Sequence, residues 1–149
     1  MADLTITVKG ADEIVAKLQA FGVDMATGLE AICTAGAKVV ESEIETQAPG
    51  SIGQAIELET KAKNIKRVTV VTGPNKKKWY ARFVEHGTRP HKISPKDAKA
   101  LEVDVGLFRA SANHPGTAAR PFMRPAFDGS AGEAQAAMAK EVEKVVDRV

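Results

Sequence analysis

The sequence predicts an α+β fold: an antiparallel sheet of about four strands packed against a long helix and a C-terminal helix, with a long extended loop. Three observations carry this prediction. Apolar and polar residues alternate over residues 3–9, and residues 68–72, VTVVT, are rich in β-branched side chains. Apolar residues recur at helical spacing over residues 23–47 and again from Phe127 onward. Five of the seven prolines fall within residues 86–125, which breaks regular structure there. With 149 residues, one domain is the expected organisation.

Residues 3–9, DLTITVK, place Leu4, Ile6 and Val8 on one face of a strand that Gly10 ends. A short amphipathic helix follows over residues 12–21, with Ile14, Val15, Leu18 and Phe21 on one side. Asp12 and Glu13 favour its first turn through the helix dipole, and Gly22 is its expected end. The long helix over residues 23–47 carries the stripe Met25, Leu29, Ile32, Gly36, Val39 or Val40, and Ile44. Gly28 and Gly36 each cost it about 1 kcal/mol against alanine. The small-residue patch 34–37 lets another element approach closely. Cys33, the sole cysteine, reads as a small buried hydrophobe and permits no internal disulfide.

Residues 51–60 are expected to be extended and to pair with 68–72 as an antiparallel hairpin, with Asn64 in the connection. A turn at residues 73–75 leads to a short helix over 76–85. An excursion at about 86–120 is expected to be mostly irregular, with two short strands, 100–103 and 107–111, around a turn at Asp104, Val105 and Gly106. The C-terminal helix carries Phe127, Ala131, Ala134, Met138, Val142, Val145 and Val149.

Several function classes are excluded or disfavoured. No apolar run approaches the ~18 residues that span a bilayer. The first residues lack a basic segment followed by an apolar one, so no secretory leader is expected. No nucleophile elbow or phosphate-binding loop is present. His86, His91 and His114 have only Glu85 as a nearby acid and stand among basic residues that repel a cation. No enzyme, metal or cofactor is expected.

Charge is segregated. Residues 1–60 carry 3 basic and 10 acidic side chains, and residues 61–100 carry 12 basic and 2 acidic ones. Such a chain suits head-to-tail association of identical copies, because a heterologous interface pairs two different patches. Lys76, Lys77, Lys78, Arg82, Arg89, His91 and Lys92 are expected at subunit contacts, opposite Glu41, Glu43 and Glu45 of a neighbour. The alternative is a basic nucleic-acid-binding module, with Trp79 and Tyr80 beside the three lysines as stacking platforms.

Residues 80–88, YARFVEHGT, and 114–127, HPGTAARPFMRPAF, resemble the tailed-bacteriophage head–tail joining proteins, also called tail-completion, neck or minor tail-component proteins. That family carries a YA-x-x-VE-x-GT element, then a loop ending in HPG, then an R-P-F-hydrophobic-x-P-A opening of the last helix. The order and spacing match here through Tyr80, Glu85, Gly87, Thr88, His114, Pro115, Gly116, Arg120, Pro121 and Phe122. Residues 48–52, APGSI, are similar to a further family region but lack its TG-x-L core.

The resemblance implies one head–tail joining domain without catalysis. It implies copies in a ring, sixfold like the tails of such phages, located in the virion after assembly in the host cytoplasm. The implied partners are other copies of this chain, the head-closure or connector proteins and the tail-tube or tail-terminator proteins, with DNA passing through the lumen. Most motif residues have structural work to do. Tyr80, Phe83 and Val84 are expected to anchor a helix, which Gly87 stops at positive φ. Glu85 is placed to bond backbone amides or Arg89. Pro121 presets the first turn of the last helix, Phe122 fills the core, and Pro125 fits only within that first turn.

Overall fold

A computed structural model describes residues 11–20, 25–64, 67–96 and 100–147. The strand expected at 3–9, and Phe21 and Gly22 of the first helix, lie outside the described residues. The elements in chain order are α1 (Ala11–Ala20), α2 (Met25–Gln47), β1 (Ile56–Asn64), β2 (Arg67–Pro74), α3 (Ala81–His86), β3 (His91–Ile93), β4 (Leu101–Asp104), β5 (Leu107–Arg109), β6 (Ala112–His114) and α4 (Met123–Asp147). The fold class is α+β, with a long helix, a long C-terminal helix and antiparallel strands. Among the described residues the strands form three two-stranded sheets, β1–β2, β3–β6 and β4–β5. Pro90 and Pro95 bracket β3 and keep it short, since proline cannot donate to a ladder.

The chain divides into two compact units. The first holds the described residues of Met1–Trp79 and Phe122–Val149. Its central element is α2, which buries residues on two sides. One side brings Ile32 against Leu18 of α1 and Val145 of α4, with Ile14, Val15, Met138 and Val142 packed around them. The other side brings Cys33 and Ala37 against Val70 of β2, with Leu58 and Val68 alongside. Leu29, Ile32, Val40 and Ile44 are all buried, and each contributes about 1.5–3 kcal/mol of transfer free energy.

Small residues set the approach of α4 to α2. A Cβ on Gly36 would lie 2.6 Å from Cγ and Sδ of Met138 and 3.3 Å from the Ala134 carbonyl oxygen. The helical cost of this glycine is thus offset by close packing. In β2 the pair Val70 and Thr72, two residues apart, is buried, as the period of a half-covered ribbon requires. β1 and β2 pair from Ile56 opposite Pro74 to Asn64 opposite Arg67, with a register shift between Thr60 and Ala62.

Two local expectations change. Residues 50–55 form a 3-10 helix rather than extended chain, with Ile52, Gly53 and Ala55 buried. Gly50 takes φ +59°, and the Ile52 amide donates to the Pro49 carbonyl at 3.3 Å. Residues 76–85 are not one helix. Asn75 accepts from the Lys77 amide at 3.1 Å through its side chain and starts a separate 3-10 turn, Lys76–Lys78, before α3 begins after Tyr80.

At the start of α4, Phe122 is 2% exposed and fills the core, as the motif reading expects. Pro125 is the third residue of α4, where it displaces no helical hydrogen bond.

The second unit, Tyr80–Pro121, holds α3, the β3–β6 ladder and the β4–β5 hairpin. The hairpin turns at Gly106, φ +74°, close to the expected strands. The β3–β6 ladder has no counterpart in the expectations. Its two strands are three residues long and about twenty apart in sequence, too short for periodicity to reveal.

Candidate functional site

The two motif segments, about thirty residues apart, meet in the second unit. Thr88 and Thr117 exchange backbone hydrogen bonds of 2.9 and 3.1 Å, and Thr88 Oγ1 accepts from the Thr117 amide at 3.0 Å. The Arg120 amide donates to the Val84 carbonyl at 2.8 Å. Next to this clasp His91 stands opposite His114 in the β3–β6 register, with the rings stacked at 5.0 Å and 29° between planes. His91 Nδ1 lies 2.8 Å from the Arg89 carbonyl, and His114 Nδ1 accepts from the Gly116 amide at 3.0 Å. Both imidazoles therefore serve the local backbone.

Two glycines make the clasp possible. Gly87 ends α3 at φ +69° and ψ −177°, a region essentially restricted to glycine. A Cβ there would lie 2.5 Å from the Thr117 carbonyl oxygen and 2.8 Å from the Ala119 nitrogen. Gly116 takes φ +89°, and a Cβ on it would collide with the Thr88 carbonyl oxygen. Each motif thus supplies the glycine that admits the other motif's backbone.

The clasp borders an open groove of about 630 Å³, lined in part by Phe83, Arg89, Pro90, His91, Ile93 and His114. Phe83 corrects one expectation. It is 36% exposed rather than an anchor, and the Arg82 guanidinium sits 4.6 Å from its ring centroid. A helix of six residues buries one narrow face, and here that face is Ala81 and Glu85, four residues apart. Tyr80 and Val84 are half-buried.

The basic residues proposed for subunit contacts are mostly on the surface. Lys76, Lys77, Arg82, Arg89, His91 and Lys92 are exposed. Lys78 is half-buried, with Nζ donating to Ser51 Oγ at 2.7 Å. On α2, Glu41 and Glu45 lie four residues apart and share a face. Burial raises the Glu41 carboxyl above its ordinary range, with repulsion from Glu45 adding to the shift and Lys38 opposing it. Glu43 projects in another direction and accepts from Gln47 Nε2 at 2.7 Å. The three acids therefore form no single patch.

The family described as "Bacteriophage HK97-gp10, putative tail-component" matches residues 12–87, just over half of the chain. The chain belongs to this family. The HK97-gp10-like match runs from α1 through Gly87, so it takes in the first motif up to its last residue but one and stops before the second. No curated protein and no solved structure matches the chain. Membership makes this HK97-gp10-like protein a structural tail component of a bacteriophage, and so a part of the virion. No helix among its described residues is long and apolar enough to cross a membrane.

Sequence reasoning missed Thr117 as the partner of Thr88 and Ile93 as a groove residue. The turn at Val105 and the strand holding Leu107 and Phe108 are found as expected, but that all three side chains are exposed was not foreseen. Their signal was a cluster of apolar residues around a turn within an otherwise polar excursion.

Proposed function

We propose that this chain assembles as a ring at the head–tail junction of the phage and helps join the tail to the DNA-filled head. Family membership supports a structural role in the tail. The observation that carries the ring reading is the charge segregation: an acidic first segment and a strongly basic middle one on the same chain. Identical copies with oppositely charged segments suit head-to-tail association, and such contacts form a ring where the rotation between copies closes. Six copies would match the symmetry of such tails. The flanking partners would be head-closure or connector proteins on one side and tail-tube or tail-terminator proteins on the other.

A cationic lumen would hold passing DNA through counterion release, so the basic residues belong at subunit contacts rather than on the channel wall. Reversing Lys76, Lys77 and Lys78 to Glu tests this. Heads and tails accumulate unjoined while the variant stays folded, and full infectivity of that variant contradicts the reading.

Exposed Lys76 and Lys77 beside Trp79, which is 65% exposed, favour a second reading as a nucleic-acid contact. DNA binding by the isolated protein that falls steeply with salt supports it.

A further inference from the structure

The β4–β5 hairpin is built in a way that its own fold does not explain. A two-stranded ribbon is marginal by itself, and β4–β5 pairs with no other described strand. Four of its apolar side chains nevertheless face solvent. Val105 at the turn is 97% exposed, Phe108 is 62%, Leu107 is 46% and Val103 is 41%. Apolar residues clustered at the end of an exposed ribbon mark a contact surface. The turn is held in shape, since Glu102 Oε1 accepts from the Gly106 amide at 3.1 Å.

The same unit carries a complementary surface. The open groove of about 630 Å³ offers Phe83, Pro90 and Ile93 as apolar walls. Its rim is basic: Arg89 lines it, Arg82 lies on the Phe83 ring, and Lys92 is exposed in the adjoining strand. The hairpin carries Glu102 and Asp104 on the strand that leads into its tip, and Arg109 at its base, opposite Leu101. Both acids precede the apolar tip while the base lies at the far end of the hairpin, so the tip's end of the arm complements a basic-rimmed, apolar-walled groove in charge.

We propose that the β4–β5 hairpin is a docking arm whose tip, Val105 with Leu107 and Phe108, seats in the Phe83, Pro90 and Ile93 groove of a second copy of this chain. This rests on the reading that copies associate head to tail. Arm and groove are different patches, so the contact is heterologous and repeats from copy to copy. Three side chains cover far less than the ~1,200–2,000 Å² of a stable specific interface. The arm therefore holds a pair weakly and gains strength when each copy in a closed ring both gives an arm and receives one.

Two cysteine substitutions, one per chain, test the contact, with buried Cys33 left in place. Val105→Cys protein and Ile93→Cys protein are mixed at high concentration and treated with a short bismaleimide. In an equal mixture the expected product is a 105–93 heterodimer in several-fold excess over the twofold statistical advantage it has over each of the 105–105 and 93–93 dimers, and that excess is lost when Phe108→Asp is added to the Val105→Cys chain. Yields at the statistical 1:2:1 ratio overturn the proposal.

Sedimentation of the unaltered protein and of Val105→Asp separates this claim from the ring itself. The proposal expects the variant to stay folded and to need at least about tenfold more protein to associate. Equal association of both proteins overturns the arm and leaves the ring standing. No association of the unaltered protein at any concentration, together with its absence from imaged junctions, overturns both. Cross-linking of Val105→Cys in virions to a different protein, and not to a second copy, overturns the choice of occupant.

Discussion

Thr88 and Thr117 form a reciprocal backbone pair, each amide bonded to the other's carbonyl at 2.9 and 3.1 Å, and this pair joins the two sequence motifs. Gly87 and Gly116 flank it, both at positive φ and both against the opposite segment's backbone. Gly87→Ala and Gly116→Ala are each expected to destabilise the Tyr80–Pro121 unit by about 1–3 kcal/mol, because the obstacle is backbone that cannot swing aside. Hydrogen exchange reads this directly: amides of Thr88 and Thr117 lose protection while those of α2 keep it. Unchanged protection at Thr88 would show that the clasp does not depend on these glycines.

Phe122 is 2% exposed, and its carbonyl accepts from the Ala126 amide at 3.3 Å in the first turn of α4. Phe122→Ala is expected to cost on the order of 3–5 kcal/mol, as deep phenylalanine truncations do. Thermal denaturation measures it. A melting temperature equal to that of the unaltered protein would mean that the side chain leaves the core.

Much of the fold was legible because long periodic segments announce themselves. The stripe of α2 and the C-terminal stripe of α4 each follow from spacing alone, and Leu29, Ile32, Ile44 and Val145 are buried as that spacing requires. The β3–β6 ladder was not legible, since strands of three residues carry no period and pair across about twenty residues of sequence. The groove was equally hidden. Phe83 reads as a core residue in sequence, and only the shortness of α3 leaves it outside. For the acids, even a correct helix did not make one surface: Glu41 and Glu45 share a face, and Glu43 does not.

Glu41 gives a pH signature. Burial first, and then the Glu45 charge, raise its carboxyl above its ordinary range. The native state then binds more protons than the unfolded chain in the mildly acidic region. This contribution is fully present below the unfolded value and is lost as pH rises through the folded one. Glu41→Gln is expected to flatten that fall in thermal stability, between about pH 4 and the raised native value. A Glu41→Gln profile parallel to that of the unaltered protein would remove Glu41 as its source.

Cys33 packs in the interior between α2 and β2, and burial pushes its thiol pKa up. Little thiolate forms and little of the sulfur is reachable, so labelling by a thiol reagent at neutral pH is expected to wait for unfolding. The labelling rate of folded protein, compared with that in denaturant, checks this. Rapid stoichiometric labelling of the folded chain would place Cys33 at the surface.

Imaging of intact virions at a resolution that traces this chain tests the central claim most directly. The account predicts a closed ring of copies, six in number, between head and tail, with Lys76 and Lys77 at contacts between neighbouring copies. Finding the chain elsewhere in the tail, or as a single copy, or as a ring whose lysines line the DNA channel, would contradict it.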